Sequence, residues 1–116
     1  MKTVSQLLIE AKAKIINPNS WIKRFTAEDE NGIQVNSRHP NACKFCMVGA
    51  LSSVAPHDYG TYSTYNYRSY TTAFKILSDV TLVPVSMFND SPSTTHQDVL
   101  AAYDKAIKLA ISRVIR

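Results

Sequence analysis

Apolar residues recur at helical spacing in two long segments, one near each end of the chain. Near the N-terminus, Thr3 and Gln6 form a capping-box pattern that opens the first segment. Its apolar positions are Val4, Leu7, Leu8, Ala11 and Ile15. They predict a helix over residues 4–16, which the sequence Asn17-Pro18 stops because proline disfavours helix continuation.

The second segment runs to the C-terminus and begins at Thr95, which pairs with Asp98 in another N-terminal cap signature. Its apolar positions are Val99, Tyr103, Ala106, Ile107, Ala110, Ile111 and Val114. They predict a helix of about 20 residues, which is long enough to form one side of a small domain.

Two further helices are predicted between these segments. Residues 42–54 are apolar on nearly all sides, which indicates a central helix, and Gly49 within it indicates close packing against its backbone. Ser69 can cap a short third helix that ends near Ser78. The apolar run 80–85 contains Pro84, which argues against a central strand.

A short β-hairpin is predicted ahead of the central helix. Asn31-Gly32 is a strong hairpin-turn signal because both residues tolerate positive φ. Residues 22–27 would then pair with residues 32–36.

These elements predict a mainly α fold of three or four helices with one small hairpin, in a single compact domain over residues 1–116. The composition, 45% apolar and 19% charged, is that of a globular protein. We expect one shared core around the second helix, formed by Trp21, Leu51, Phe74, Val99, Tyr103 and Ile107.

The net charge of +4 is spread evenly, with seven basic and five acidic residues in 1–58 and six and four in 59–116. There is thus no basic arm. The cations near the C-terminus (Lys105, Lys108, Arg113 and Arg116) suit the end of a helix dipole, with a phosphate-binding patch as the alternative. The apolar stretch 4–16 is too interrupted for a membrane span, so we expect a soluble, cytoplasmic protein.

The spacing His39-x3-Cys43-x2-Cys46 is one candidate for chemistry. Two thiolates and an imidazole can bind tetrahedral zinc, with His57 or His96 as a fourth ligand. Both cysteines are instead expected on the first turns of a buried helix, with no second ligand pair, so small buried thiols are favoured and no cofactor is expected.

Cysteine catalysis is a second candidate, because a thiol in the first turn of a helix has its thiolate favoured by the dipole. A hydrolase would pair Cys46 with His96, and Asn89 or Asp90 would orient the histidine. The alternative interpretation of Phe88-Asn89-Asp90 is a polar turn, in which the two side chains bond to nearby backbone amides.

Five of the six tyrosines lie within residues 59–70, interleaved with Ser, Thr, Asn and Gly as in binding loops. We expect Tyr59, Tyr62, Tyr65 and Tyr67, together with Arg68, to form a contact surface for a protein. Stacked nucleic-acid bases are an alternative partner if Arg68 and Lys75 lie alongside. The rings can also cover the core with their hydroxyls in water.

Three segments together resemble a family of small bacterial and bacteriophage proteins that is described only as a domain of unknown function. They are Cys46-Met-Val-Gly49-Ala50-Leu51, Phe88-Asn89-Asp90 and Thr95-His-Gln-Asp98-Val99-Leu100. The family pattern reads Cys-x-x-Gly-Ala-Leu, then Trp-Asn-Asp or a similar triplet, then Thr-x-x-Glu-Val-Leu. The resemblance spans nearly the whole chain except the tyrosine-rich segment, and it implies a bacterial or phage origin without implying an activity.

We therefore expect a small soluble interaction protein with a protein partner, which would be a host protein if the chain is phage-encoded. The alternative is a small cysteine- or metal-dependent enzyme that uses Cys46 with a histidine and Asn89 or Asp90. An enzyme should bring these side chains into one pocket, whereas an interaction protein should expose a contiguous tyrosine surface. The pattern leaves the oligomeric state open.

Overall fold

The protein is mainly helical, as predicted, in a computed structural model that describes residues 2–55 and 64–113, without the side chains of 64–67. Within these ranges there are five α-helices: α1 (Val4–Lys14), α2 (Met47–Val54), α3 (Thr64–Thr81), α4 (Val85–Asp90) and α5 (His96–Ser112). A 3₁₀ turn (Pro18–Ser20) follows α1, and two short strands, β1 (Ala27–Glu28) and β2 (Lys44–Phe45), precede α2. None of the described helices is long and apolar enough to cross a membrane.

The predicted capping boxes begin α1 and α5. The Gln6 amide donates to Thr3 Oγ1 at 3.2 Å, and the Thr3 amide donates to Gln6 Oε1 at 2.8 Å. The same reciprocal pair joins Thr95 and Asp98, at 3.2 and 2.9 Å. Each box satisfies two amides that the helix itself leaves unpaired. Helix α1 then packs against α2, α3 and α5.

The two-stranded sheet differs from the predicted hairpin. Strands β1 and β2 are antiparallel, with Ala27 opposite Phe45 and Glu28 opposite Lys44. The predicted hairpin is kept only near its turn: Glu28 bridges Gln34, the Asp29 amide donates to the Ile33 carbonyl at 2.9 Å, and the Val35 amide donates to the Ala27 carbonyl at 3.1 Å. Asp29 closes the turn of this hairpin, because its Oδ1 accepts the amides of Asn31 and Ile33 at 2.9 Å each. Residues 44–45 pair with the other edge of β1, where the Cys43 amide donates to the Glu28 carbonyl at 3.0 Å.

This pairing shifts the start of the central helix from residue 42 to Met47. Cys43 consequently lies in the loop before β2, and not on a helix as expected. The third helix is longer than predicted: it begins at Thr64, so Ser69 is a buried interior residue and not a cap. The apolar run before residue 85 ends at Pro84, which is the N-cap of the additional short helix α4.

The core surrounds α2, as expected. Leu51, Val99 and Tyr103 are fully buried, and Trp21, Phe74 and Ile107 are partly buried against them. The close packing expected at Gly49 is also present, because a Cβ built there would lie 1.9 Å from the carbonyl oxygen of Thr26. Glycine is therefore required at this crossing of α2 and the segment before β1.

Candidate functional site

Asn89 joins three separate parts of the chain at the end of α4. Its side chain is fully buried, and its Oδ1 accepts the indole N–H of Trp21 at 2.7 Å and the amide of Met47 at 3.1 Å. Its Nδ2 donates to the Ile22 carbonyl at 3.1 Å and to Asp90 Oδ1 at 3.0 Å. The carboxamide thus uses both of its donors and accepts two hydrogen bonds. Three of these four bonds reach residues far away in the sequence, whereas the sequence suggested a local turn.

Cys46 is the N-cap of α2. Its Sγ accepts the Gly49 amide at 3.3 Å, and its own amide donates to the Thr26 carbonyl at 3.2 Å. Burial raises the pKa of this thiol above the ordinary value of 9.0, and the charge of Asp90 raises it further, against the lowering effect of the Gly49 amide. The thiol is therefore protonated at neutral pH, which suits a cap better than a nucleophile.

His96 lies beside Trp21, with the ring centroids 5.8 Å apart. Its Nε2 is 2.7 Å from the Ile15 carbonyl oxygen, so this nitrogen carries a proton and donates. Of the four predicted catalytic residues, the structure joins Asn89 to Asp90 by a hydrogen bond, and the Asp90 charge acts on Cys46. In the part of the chain that is described, no hydrogen bond joins His96 to the Cys46 thiol.

The predicted metal ligands lie in separate parts of the structure. His39 Nδ1 accepts the Asn41 amide at 3.0 Å in an exposed loop, Cys43 is exposed, and Cys46 is buried as the cap of α2. Across residues 2–55 and 64–113, no group of three His, Cys, Asp or Glu side chains converges on a point. His57 lies outside the described residues.

Much of the predicted tyrosine surface lies outside the described residues. Tyr59 and Tyr62 fall in the undescribed segment, and Tyr65 and Tyr67 are described only as helical backbone of α3. Arg68 is exposed, as a contact surface requires, and its carbonyl accepts the Thr71 hydroxyl at 3.1 Å. Lys75, named as a nucleic-acid contact, pairs with Asp79 at 3.4 Å.

Two strained residues that the sequence analysis missed flank α4. Arg24 has φ +80° and Leu82 has φ +65°, a region that side chains other than glycine and asparagine rarely adopt. Arg24 is held by its amide, which donates to Asp90 Oδ1 at 2.8 Å. Leu82 follows α3 directly, and its amide donates to the Ser78 carbonyl at 3.0 Å. Nothing in the sequence marks the positive φ of either residue.

Large apolar side chains are exposed around the same helix. Leu82 is 88% exposed, Met87 62%, Val83 43% and Phe25 42%. Phe25 follows Arg24 in the chain, and Met87 lies one helical turn before Asp90. We call Arg24, Phe25, Leu82, Val83 and Met87 the α4 surface.

Comparison with protein families shows which family the chain belongs to. The model of DUF6197, a family of unknown function, covers residues 1–109. No curated protein and no solved structure matches the chain.

Proposed function

We propose that this chain, which belongs to the family of unknown function DUF6197, is a small non-catalytic binding protein that contacts a protein partner through the α4 surface. The observation that carries the proposal is Leu82, a large apolar residue that is 88% exposed on a backbone with φ +65°. In the isolated chain both features are unfavourable, because a left-handed backbone costs a leucine about 1–2 kcal/mol and the side chain gains nothing from burial.

Arg24 shares the backbone strain of Leu82 and lies near the other end of α4. Its backbone is strained, its side chain is exposed, and Phe25 beside it is 42% exposed. Strain of this kind persists where the surrounding structure enforces it, and it clusters at recognition and active sites. A protein partner that buries Leu82, Val83 and Met87 would regain the hydrophobic free energy that the isolated chain forgoes.

The residues that an enzyme would need are occupied by structural bonds. Asn89 uses both of its donors, Cys46 accepts an amide of its own helix, and His96 donates to a main-chain carbonyl. Burial and the Asp90 charge both keep the thiol protonated. These hydrogen bonds and the protonated thiol favour a binding protein over the cysteine-dependent enzyme.

The tyrosine-rich segment remains a second proposed contact, because Tyr59, Tyr62, Tyr65 and Tyr67 precede the exposed Arg68 in the chain. Its composition suits adaptable recognition. For a phage-encoded chain the partner would be a host protein.

The test begins with an affinity-tagged chain in bacterial lysate, followed by purification of any captured protein and calorimetric titration against the purified chain. Leu82→Asn keeps a residue that tolerates positive φ and removes the apolar side chain, and Met87→Gln removes apolar surface from α4. Each should weaken binding by about 1–2 kcal/mol without lowering the melting temperature. Ile111→Gln is the matched control, since Ile111 is 54% exposed on α5 and should not affect binding.

Two results would refute the α4 surface as the contact. Equal affinity of all three variants would do so, and so would loss of binding only on substitution of Tyr62 and Tyr65, which would place the contact on the tyrosine segment.

Thiol labelling tests the enzyme alternative. The exposed Cys43 should react with a disulfide reagent faster than Cys46, and the reverse order would favour a reactive Cys46.

A further inference from the structure

A groove of about 500 Å³ runs past the end of α1, the loop before β2 and the end of α2. This volume is within the range of small-molecule sites, which is roughly 300–1,000 Å³. Lys14, Arg38 and His39 line it, and no acidic side chain is among the described lining residues. Ser37 and Ser53 add hydroxyls, and Phe45 lies in the wall.

The three basic side chains retain donors for a ligand. Lys14 Nζ lies 5.8 Å from the centroid of the Phe45 ring and forms no ion pair with a described carboxylate. The Arg38 Nε donates to the Ser52 carbonyl at 3.2 Å. This bond orients the guanidinium and leaves its two terminal nitrogens as donors for a ligand. His39 Nδ1 accepts the Asn41 amide at 3.0 Å, so the neutral ring carries its proton on Nε2 and can donate there.

The end of α2 would by itself oppose an anion, because the last carbonyls of a helix carry partial negative charge. Two cations cover these carbonyls. Arg38 bonds to the Ser52 carbonyl, and Lys2 Nζ donates to the Val54 carbonyl at 2.8 Å. Lys2 also pairs with Glu10 at 2.7 Å, which neutralises that carboxylate. Lys14 lies in the last turn of α1, and no described carboxylate pairs with it.

We propose that this groove binds the phosphate group of a small phosphate monoester. Arginine presents two parallel donors that match phosphate oxygens, lysine supplies a point charge, and a dianion balances the two permanent charges of Lys14 and Arg38 better than one carboxylate does. The volume suits a small molecule, and the site is independent of the α4 surface.

The test is an NMR titration of the full ¹⁵N-labelled chain with inorganic phosphate and with phenyl phosphate, at constant ionic strength. Saturable shifts should be confined to the amides of residues 37–42 and 53–55 and to the end of α1, and benzoate should bind more weakly than phenyl phosphate. Lys14→Gln and Arg38→Gln should each weaken phosphate binding about tenfold, since a hydrogen bond to a charged group has this effect. Lys75→Gln, which removes an exposed charge on α3, should leave it unchanged.

Unsaturable or scattered shifts would overturn the proposal, as would equal weakening by Lys75→Gln. Arg38→Gln can also destabilise the end of α2, because it removes the bond to the Ser52 carbonyl. Lys14→Gln leaves that bond in place, and Arg38→Lys keeps the positive charge. Retained fold with undiminished phosphate binding in Lys14→Gln would contradict the site. A single-stranded oligonucleotide is the last arm: tighter, steeply salt-dependent binding to the same amides would make the groove a nucleic-acid contact and refute a small-molecule ligand.

Discussion

The junction around Asn89 and the two ends of α4 are neighbours in the structure with opposite physical character. At the junction the polar groups are buried and hydrogen-bonded, and Trp21, Met47 and Asn89 come from distant parts of the chain. At the ends of α4 the backbone is strained, and large apolar side chains face solvent. The difference separates residues that hold the fold from residues that are available for recognition.

Asp90 connects the two regions. Its Oδ1 accepts both the Asn89 Nδ2 at 3.0 Å and the amide of Arg24 at 2.8 Å. The interior network therefore helps to hold Arg24 in its strained conformation. If the α4 surface is the contact, as we propose, Asn89 and Asp90 support it from the interior.

The largest expected effect is that of Asn89→Ala. This change leaves the Trp21 indole N–H, the Met47 amide and the Ile22 carbonyl without their partner, so we expect a loss of about 3 kcal/mol or more in the free energy of unfolding. Urea denaturation measures it, with the exposed Asn31→Ala as the control. A loss below about 1 kcal/mol would show that Asn89 does not hold the junction.

Gly49→Ala should come next. The added Cβ would meet the Thr26 carbonyl oxygen at 1.9 Å, so the segment before β1 must move away from α2. We expect a cost of about 2 kcal/mol by urea denaturation, as for other overpacked interiors. Gly32→Asn is the control, since nothing lies within 4 Å of a Cβ there and asparagine tolerates its φ of +79°. Equal effects of the two variants would contradict the close crossing.

Tyr103→Phe tests the buried, hydrogen-bonded region by the pH dependence of its stability. The Tyr103 hydroxyl donates to the Met47 carbonyl at 2.6 Å, and its removal should cost about 1 kcal/mol at neutral pH. Burial raises the pKa of Tyr103 well above 10.0, so the folded state keeps a proton that the unfolded chain loses. The stability linked to this group is complete below pH 10.0 and falls as the pH rises further.

Melting curves across the alkaline range provide the measurement. The wild-type chain should lose stability more steeply than Tyr103→Phe above pH 10.0. Cys46→Ser should reduce the loss that begins near pH 9.0, because the pKa of that thiol is raised as well. Parallel curves for all three proteins would show that neither group is linked to unfolding.

Leu82→Gly should have the smallest effect and the opposite sign. Glycine relieves the positive φ but loses more entropy on folding, so we expect a net gain of about 0.5–1 kcal/mol in stability. The measurement is the free energy of unfolding in urea, and Met87→Ala, on regular helical backbone, should change it little. A loss of stability would mean that Leu82 contributes to the fold, and the contrast with Asn89 would then fail.

The sequence predicted well what depends on neighbours a few residues apart. The first residues of α1 and α5 follow from Thr3 with Gln6 and Thr95 with Asp98, because a capping box closes within one turn. The apolar period of 3–4 residues identified the buried faces, and the all-round apolar character of α2 placed it at the centre. The family resemblance is confirmed by the match over residues 1–109.

Tertiary structure decided what depends on residues far apart in the chain. Strand β1 pairs with β2, which comes from residues 44–45, and α2 consequently begins at Met47 and not at residue 42. Asn89 reads as a turn residue in the sequence, and only folding brings Trp21 and Met47 within hydrogen-bonding distance of it. The strain at Arg24 has the same origin, since a bond to Asp90 holds it across 66 residues of sequence separation.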